Sequence, residues 1–288
     1  MALIMIQNYL TKNRCYQTAA INEKIGIQLH TIGIGQGTAQ EVADYWNQST
    51  VSACVHYIVD CDASGKVLQC LPEEYRSWAD AGYGNNHLIT FEICESDAIE
   101  YLDGASYKVL NETKFKEDIM RGYHTSVELC AKICKERGWN PQSKLPSGLY
   151  LISSHDEGRR AGLSSAHVDP THIWERFGLT MDGFRADVAE KMKLELRAGM
   201  KVRLIRAIAL RNGVSEKYQQ AGYVKYTDLP ASVKKKCKRI AGNRARLKAG
   251  AVVEIRDVEQ TLDGTGWIQI KNGWLPVVVK GNYRVDRA

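Results

Sequence analysis

The chain has 288 residues, 44% of them hydrophobic and 25% charged, which is long enough for two domains and apolar enough for a core without disulfides. No apolar stretch approaches the ~20 residues of a membrane-spanning helix, and the opening MALIMIQNYLTKNRCY turns polar too early for a signal peptide. From Met200 onward 19 Lys and Arg stand against 7 Asp and Glu, a net of +12, while the preceding part carries 20 against 26. That asymmetry predicts two units, the basic one facing an anionic partner.

In chain order, KIGIQLHTIGIG predicts a short apolar strand ending in His30, then a Gly-rich loop. TAQEVADYWNQ predicts a helix opened by Thr38. VSACVHYIVDCDASGKVLQCLP predicts a hairpin turning at residues 62–65, and HLITFEICES a buried strand bearing Glu92 and Glu95. TKFKEDIMRGYHTSVELCAKICKERGWN has apolar residues at helical spacing and closes at Gly138. GLYLISSH predicts a strand ending in His155, and TMDGFRADVAEKMKLEL a terminal helix. Strands alternating with helices predict an α/β domain with a mixed sheet up to about residue 180.

After Met200, KVRLIRAIALRNG, RARLKAGAVVEIRDVEQT, GWIQIKNGWLPVVV and NYRV are short β-branched runs split by Gly, Asn and Asp. They predict a small all-β unit. The expected organisation is an α/β domain over 1–180, a helical linker over 181–199 and an all-β domain over 200–288. The eight cysteines, with no C-x-x-C pair, predict reduced core thiols.

His30 and His155 each close a predicted strand, where loops gather to form sites. Zinc takes imidazole nitrogen and carboxylate oxygen, and a catalytic zinc keeps three protein ligands plus water. Asp169, 14 residues beyond His155, could complete such a set, with Gly158 and Gly162 letting the loop fold back. Spacing alone leaves this open. A strand-end histidine is as readily a hydrogen-bonded surface residue, and an Asp before Pro170 an ordinary turn residue.

The order IQLHTIG, SACVHYIVDCDASGKVLQCLPEEYRSW, NNHLITFEICES and ISSHDEG…HVDP resembles the zinc-dependent N-acetylmuramoyl-L-alanine amidases over residues 5–180. This amidase-2 family shares its fold with peptidoglycan recognition proteins, and the likeness is greatest to endolysins of phages of Gram-positive hosts. The resemblance implies zinc held by His30, His155 and Asp169, with Glu92 of ITFEICE as the catalytic glutamate. Where the family commonly has an oxyanion-steadying lysine, two residues before the third ligand, this chain has His167. The longer loop DEGRRAGLSSAHV leaves Asp156 as an alternative third ligand. The family's AWHAG stands here as SWADAG, without its histidine. Trp78, Tyr83 and His56 are the candidate substrate-binding residues; the alternative is a surface aromatic for Trp78 and Tyr83, and a buried, hydrogen-bonded imidazole for His56. His172 and Trp174 are expected to pack.

ARLKAGAVVEIRDVEQ and GWIQIKNGWLPV resemble a bacterial SH3-type module, an SH3-like barrel in which Trp267 and Trp274 flank an Asn-Gly turn as candidate wall-binding residues. The segment KYTDLPASVKKKCKRIAGN is an unusual insertion in that pattern. The net charge suits an anionic cell wall. Nucleic acid is not the expected partner, because no nucleic-acid-reading motif is present and KKKCKR reads as a solvated face. Together the resemblances imply a peptidoglycan hydrolase, made in a host cytoplasm and acting on the wall after release. The rivals are a non-catalytic peptidoglycan-binding protein on the same fold and a cytosolic amidase recycling soluble muropeptides. A nucleic-acid binder built around the basic tail is a third.

Overall fold

Two strands, Gly26–Thr31 and Leu88–Ile93, are buried along their whole length, as befits strands covered on both faces. They belong to the first of two units, Met1–Met192 and Lys193–Ala288. The structure, a computed structural model, describes residues 3–192, 196–279 and 282–288. The first unit begins β1 (Ile4–Gln7), α1 (Arg14–Thr18), β2 (Gly26–Thr31), α2 (Ala39–Trp46), β3 (Tyr57–Val59) and β4 (Lys66–Gln69). It continues with α3 (Tyr83–His87), β5 (Leu88–Ile93), β6 (Ile99–Asp103), β7 (Ser106–Val109) and the long α4 (Glu112–Arg137). It ends with β8 (Ile152–Ser154), α5 (His155–Arg160), α6 (Thr171–Trp174) and α7 (Met181–Met192).

One six-stranded sheet runs in the order β1-β4-β3-β5-β2-β8. Every neighbouring pair is parallel except the β3–β4 hairpin. The first unit is therefore a mixed sheet flanked by helices, as the alternation of elements predicts. Side chains alternate between the faces of a strand, and this separates two jobs. Ile27, Leu29, Ile89, Phe91 and Ile93 enter the main core with Phe115 and Ile119 of α4 and Phe184 of α7. Gln28, His30, Thr90 and Glu92 share the other face. Parallel register sets Gln28 against Thr90 and His30 against Glu92. A second core, including Val42, Cys54, Ile58 and Leu68, lies among α2, β3 and β4.

Helix α4 starts where Asn111 Oδ1 accepts from the Lys114 amide at 3.0 Å, and it stops, as its sequence predicts, at Gly138 in the left-handed region. Two expectations change. The strand read in GLYLISSH is only Ile152–Ser154, and His155 is the first residue of α5. Ser154 Oγ accepts from the Glu157 amide and Glu157 Oε2 from the Ser154 amide, both at 3.1 Å, a capping box that starts a helix. The helix expected as a linker is part of the first unit. Its Met181, Phe184 and Val188 form one apolar stripe in the main core. The buried Arg185 donates to Ile152 O at 2.9 Å and pairs with Glu157 at 3.1 Å. Residues 193–195 of the expected linker lie outside the described residues.

The second unit is built of short strands. They are β9 (Lys201–Leu204), β10 (Ile208–Ala209), β11 (Cys237–Ile240), β12 (Arg244–Leu247) and β13 (Val252–Glu254). β14 (Asp257–Gln260), β15 (Gly266–Ile270), β16 (Gly273–Val279), β17 (Asn282–Tyr283) and β18 (Val285–Arg287) follow. They form three small antiparallel sheets, β10-β12-β11, β13-β9-β18 and β14-β15-β16-β17. Val202, Leu204, Ile208, Ile268 and Leu275 are in their common core. The insertion contributes a short helix, α8 (Ala231–Lys234), and the strand β11. Trp267, expected on a wall-binding surface, is instead fully buried, because both faces of β15 are covered at its position. Trp274 is half-buried, its backbone bridged to Arg211.

Candidate metal centre

His30 projects from β2 near the carboxyl ends of the parallel strands, and β8 runs beside β2 so that Ser154 stands opposite Leu29. The next residue, His155, thereby comes to His30. Their Nδ1 atoms are 2.9 Å apart. The Asp169 carboxylate completes the group, with Oδ2 3.5 Å from His30 Nδ1 and Oδ1 3.4 Å from His155 Nδ1. All three side chains are buried, and one donor atom from each lies within 4.8 Å of the others. Lone pairs that converge this closely need a shared proton or a cation between them, and two imidazoles with one carboxylate are a donor set suited to zinc.

The far sides of the two rings are held as well. His30 Nε2 donates to Gln28 Oε1 at 3.2 Å, and His155 Nε2 lies 3.0 Å from Ser165 Oγ. With the ring proton on Nε2, a tautomer inferred from these partners, each Nδ1 lone pair faces the centre. Asp169 Oδ2 also accepts from the Thr31 amide at 3.2 Å. Burial alone would raise the Asp169 pKa, but hydrogen bonds from His155 and His30 outweigh it and hold the carboxyl well below its usual range. Burial pushes His30 down, only partly opposed by Asp169.

Asp156, the alternative third ligand, is committed elsewhere. Its Oδ1 accepts from Arg159 Nε at 3.0 Å, its Oδ2 from Thr171 Oγ1 at 3.2 Å, and Arg160 pairs with it too. Glu92, in register with His30, has its Oε2 buried without a hydrogen-bond partner. Burial, and then the charges of Asp169 and Glu95, raise its pKa well above the carboxylate range. Glu95 is pushed up to about 7, chiefly by burial. His167 is exposed at the rim, its ring centre 4.9 Å from that of His155.

The expected substrate-binding residues fall differently. His56 is a correction: it is fully buried, Nδ1 accepting from the Thr90 amide and Nε2 donating to Tyr75 O, both at 2.9 Å. With both nitrogens used, the ring has nothing to offer a groove, and burial pushes its pKa down to about 3. Trp78 is half-buried against the second core, with its amide donating to Cys54 O at 2.8 Å. Tyr83 packs on the main core and stacks with His87 at 4.4 Å. Neither is brought to the His30–His155–Asp169 group by a described contact. His172 lies 2.7 Å from the Tyr101 hydroxyl, and Trp174 is in the main core.

Gln28 and Ser165 were not among the expected site residues. Gln28 had a signal: it is a polar residue two before His30 in an apolar strand, hence on the same face. Its neighbours are shaped around it. A Cβ on Gly84 would come within 1.8 Å of Gln28 Oε1, and one on Gly158 within 3.0 Å of Gln28 Nε2. Gly158 thus serves close approach inside α5 rather than the loop reversal expected of it. Asp80 fixes the α3 side of this cradle, accepting from the amides of Gly82, Gly84 and Asn85 at 2.8–3.0 Å.

A buried two-histidine, one-carboxylate group, with Glu92 in register beside it at the strand ends of a mixed sheet, is a donor set suited to a metal ion. Residues 22–172 match the N-acetylmuramoyl-L-alanine amidase family, and the chain belongs to it. That family comprises peptidoglycan amidase-type hydrolases. Similar solved structures include the Staphylococcus aureus hydrolase AmiA in complex with its ligand, at 19% identity and TM-score 0.49, covering 67% of this chain and 83% of that one. The catalytic domain of XlyA is 16% identical with TM-score 0.45, covering 65% and 99% of the two chains. The PlyG catalytic domain is 16% identical with TM-score 0.45, covering 68% and 99%. Among curated protein sequences, none matches significantly.

Proposed function

We propose that the chain is a zinc-dependent N-acetylmuramoyl-L-alanine amidase of the endolysin type. It hydrolyses the amide between the lactyl group of N-acetylmuramic acid and L-alanine. The observation that carries this is the convergence of His30 Nδ1, His155 Nδ1 and the Asp169 carboxylate, with Glu92 in register beside them. His30, His155 and Asp169 would hold the zinc, which would supply Lewis acidity toward the carbonyl oxygen and lower the pKa of water toward ~7. Glu92 takes a proton from the attacking water and delivers it to the amide nitrogen. The C–N bond then breaks, leaving a carboxylate on the lactyl group and a free amine on L-alanine. A carboxyl whose pKa burial has raised is suited to both halves of that transfer. His167, exposed beside His155, donates a hydrogen bond to the oxyanion that develops on the carbonyl oxygen.

The basic second unit acts in this reading as an SH3-like module that holds the enzyme on the anionic wall of a Gram-positive host. The enzyme reaches that wall after release from the host cytoplasm. A non-catalytic binding protein would have no use for a buried, unpartnered Glu92 next to the donor group, and an enzyme of soluble muropeptides no use for a basic anchor. The test is digestion of purified walls with the zinc-loaded protein. New amino groups on L-alanine without new reducing sugars are expected. Reducing ends instead would mean a glycosidase and end the proposal.

A further inference from the structure

His155 stands at the junction of two elements that are each too short to fix it alone. Before it runs β8, three residues long and the last strand of its sheet. After it comes α5, only six residues long, and so short a helix is marginal by itself. The junction is clamped from α7. Just before β8 the Leu151 carbonyl accepts from the Ile27 amide at 2.7 Å, so strand alternation turns the Ile152 carbonyl to the open edge of the sheet. Arg185 Nη1 donates to that carbonyl at 2.9 Å. The same guanidinium grips the Glu157 carboxylate with both arms, Nη1 to Oε2 and Nη2 to Oε1, each at 3.1 Å. Glu157 Oε2 is also the atom that accepts from the Ser154 amide at the start of α5. Arg185 thus ties residues 152 and 157, one on each side of His155. Its plane is fixed by the Tyr150 ring, 3.9 Å from Cζ, and its side chain is 3% exposed.

We propose that Arg185 is a positioning residue for the metal centre: through Ile152 and Glu157 it holds His155 where its Nδ1 meets His30 Nδ1 and the Asp169 carboxylate. A metal-binding constellation must be held within about 0.5 Å of its productive geometry. The Nδ1 atoms of His30 and His155 are 2.9 Å apart, so a small slip of β8 along β2 spreads the donors. The β8 ladder resists that slip poorly, since only three residues pair, and on one side. A bidentate arginine–carboxylate fork adds direction as well as strength, and lysine cannot copy it. Burying a cation carries a desolvation cost that apolar packing avoids. Met181, Phe184 and Val188 already pack α7 on the main core, so the guanidinium is not needed to attach the helix. Arg185 lies beyond residues 22–172, the stretch that matches the family; the helix expected as a linker therefore reaches back into the site. The proposal rests on the zinc reading above and concerns how the ligand set is held.

The test uses the full chain and measures zinc affinity by chelator competition, with melting in zinc-free buffer and the visible spectrum of the cobalt-loaded protein beside it. Arg185→Lys keeps the charge and loses the fork; it should bind zinc at least ~10-fold more weakly and show an altered cobalt spectrum. Glu157→Gln keeps an acceptor for the helix cap but loses half of the fork, and should weaken zinc binding by a smaller factor. Asp182→Ala removes the guanidinium's other ion pair, at 2.6 Å to a carboxylate of α7 itself, and should bind zinc as the parent does. A clamp that only stabilised the fold would lower the melting temperature of Arg185→Lys and leave its zinc affinity and cobalt spectrum unchanged; that result overturns the proposal. Parental zinc affinity in Glu157→Gln overturns it too, and decides the matter if Arg185→Lys does not fold. Wall assays separate the two proposals. If the parent binds zinc and frees amino groups from walls while Arg185→Lys binds zinc equally well, the amidase stands and the positioning role falls. If Arg185→Lys loses zinc affinity but the parent frees no amino groups from walls, the positioning role stands and the amidase falls.

Discussion

Replacing Gln28 with Leu should weaken zinc binding while leaving the fold intact. The side chain is buried, and its Oε1 accepts the His30 Nε2 proton at 3.2 Å. Leucine has a comparable volume and no acceptor. The buried Nε2–H then loses its partner, a loss worth ~1–3 kcal/mol, and the ring loses the contact that aims Nδ1 at the centre. Removing an outer partner of a metal-binding histidine typically costs ~10–100-fold in affinity, which is the expected change. The assay is competition with a chromogenic chelator near neutral pH, alongside melting in zinc-free buffer to confirm folding. Gly84→Ala provides a second approach from outside the strand, since its Cβ would come within 1.8 Å of Gln28 Oε1 and should displace the amide. Gln28→Glu, which keeps an acceptor, should hold zinc better than the leucine variant. Parental zinc affinity in a folded Gln28→Leu protein would refute the positioning role.

Glu92→Gln should retain zinc, read by metal content, and lose ~10²–10⁴ of its wall hydrolysis; substantial turnover would remove Glu92 from proton transfer. Asp169→Asn should release zinc, whereas Asp156→Asn should lower the melting temperature by breaking the Arg159 and Thr171 contacts and keep the metal. The opposite pattern would exchange their roles. Burial pushes the folded His56 imidazole down to about 3, against about 6.5 for a free side chain, so below about pH 6.5 the unfolded chain binds the extra proton and stability falls as pH drops toward 3. Melting temperature should therefore decline from about pH 7.5 to about pH 5, and His56→Gln should flatten the slope; an unaltered slope would show that His56 contributes nothing to it. Trp267→Ala should destabilise the second unit by ~3–5 kcal/mol in denaturant unfolding, and lost wall binding at unchanged stability would contradict its burial.

Much of the first unit is legible because its central strands alternate. In IQLH and ITFE the apolar residues face the helices and the polar ones share the site face, so the pairing of His30 with Glu92 follows once β2 and β5 are neighbours. Helix α4 carries both of its caps in its sequence. The start of α5 was also written, as S-x-x-E in SHDE, but an apolar run leading into it reads as strand. Other features leave no local trace. The partners of His56 lie 34 and 19 residues away, so nothing adjacent shows that its ring is satisfied. Ser165 meets His155 through a loop without periodicity. Only the fold of the chain between residues 155 and 169 distinguishes Asp169, turned to the histidines, from Asp156, turned to two arginines. Trp267 sits in a strand covered on both sides, where alternation gives no guidance.

All eight cysteines are buried free thiols, seven of them in the first unit and Cys237 in the second. A thiol reagent therefore reaches them only when the surrounding structure opens, and the number of adducts records which unit opened. One added label reports the second unit, and a group of up to seven reports the first. Under native conditions, the order in which these adducts accumulate ranks the opening free energies of the two units, with no probe added to the chain.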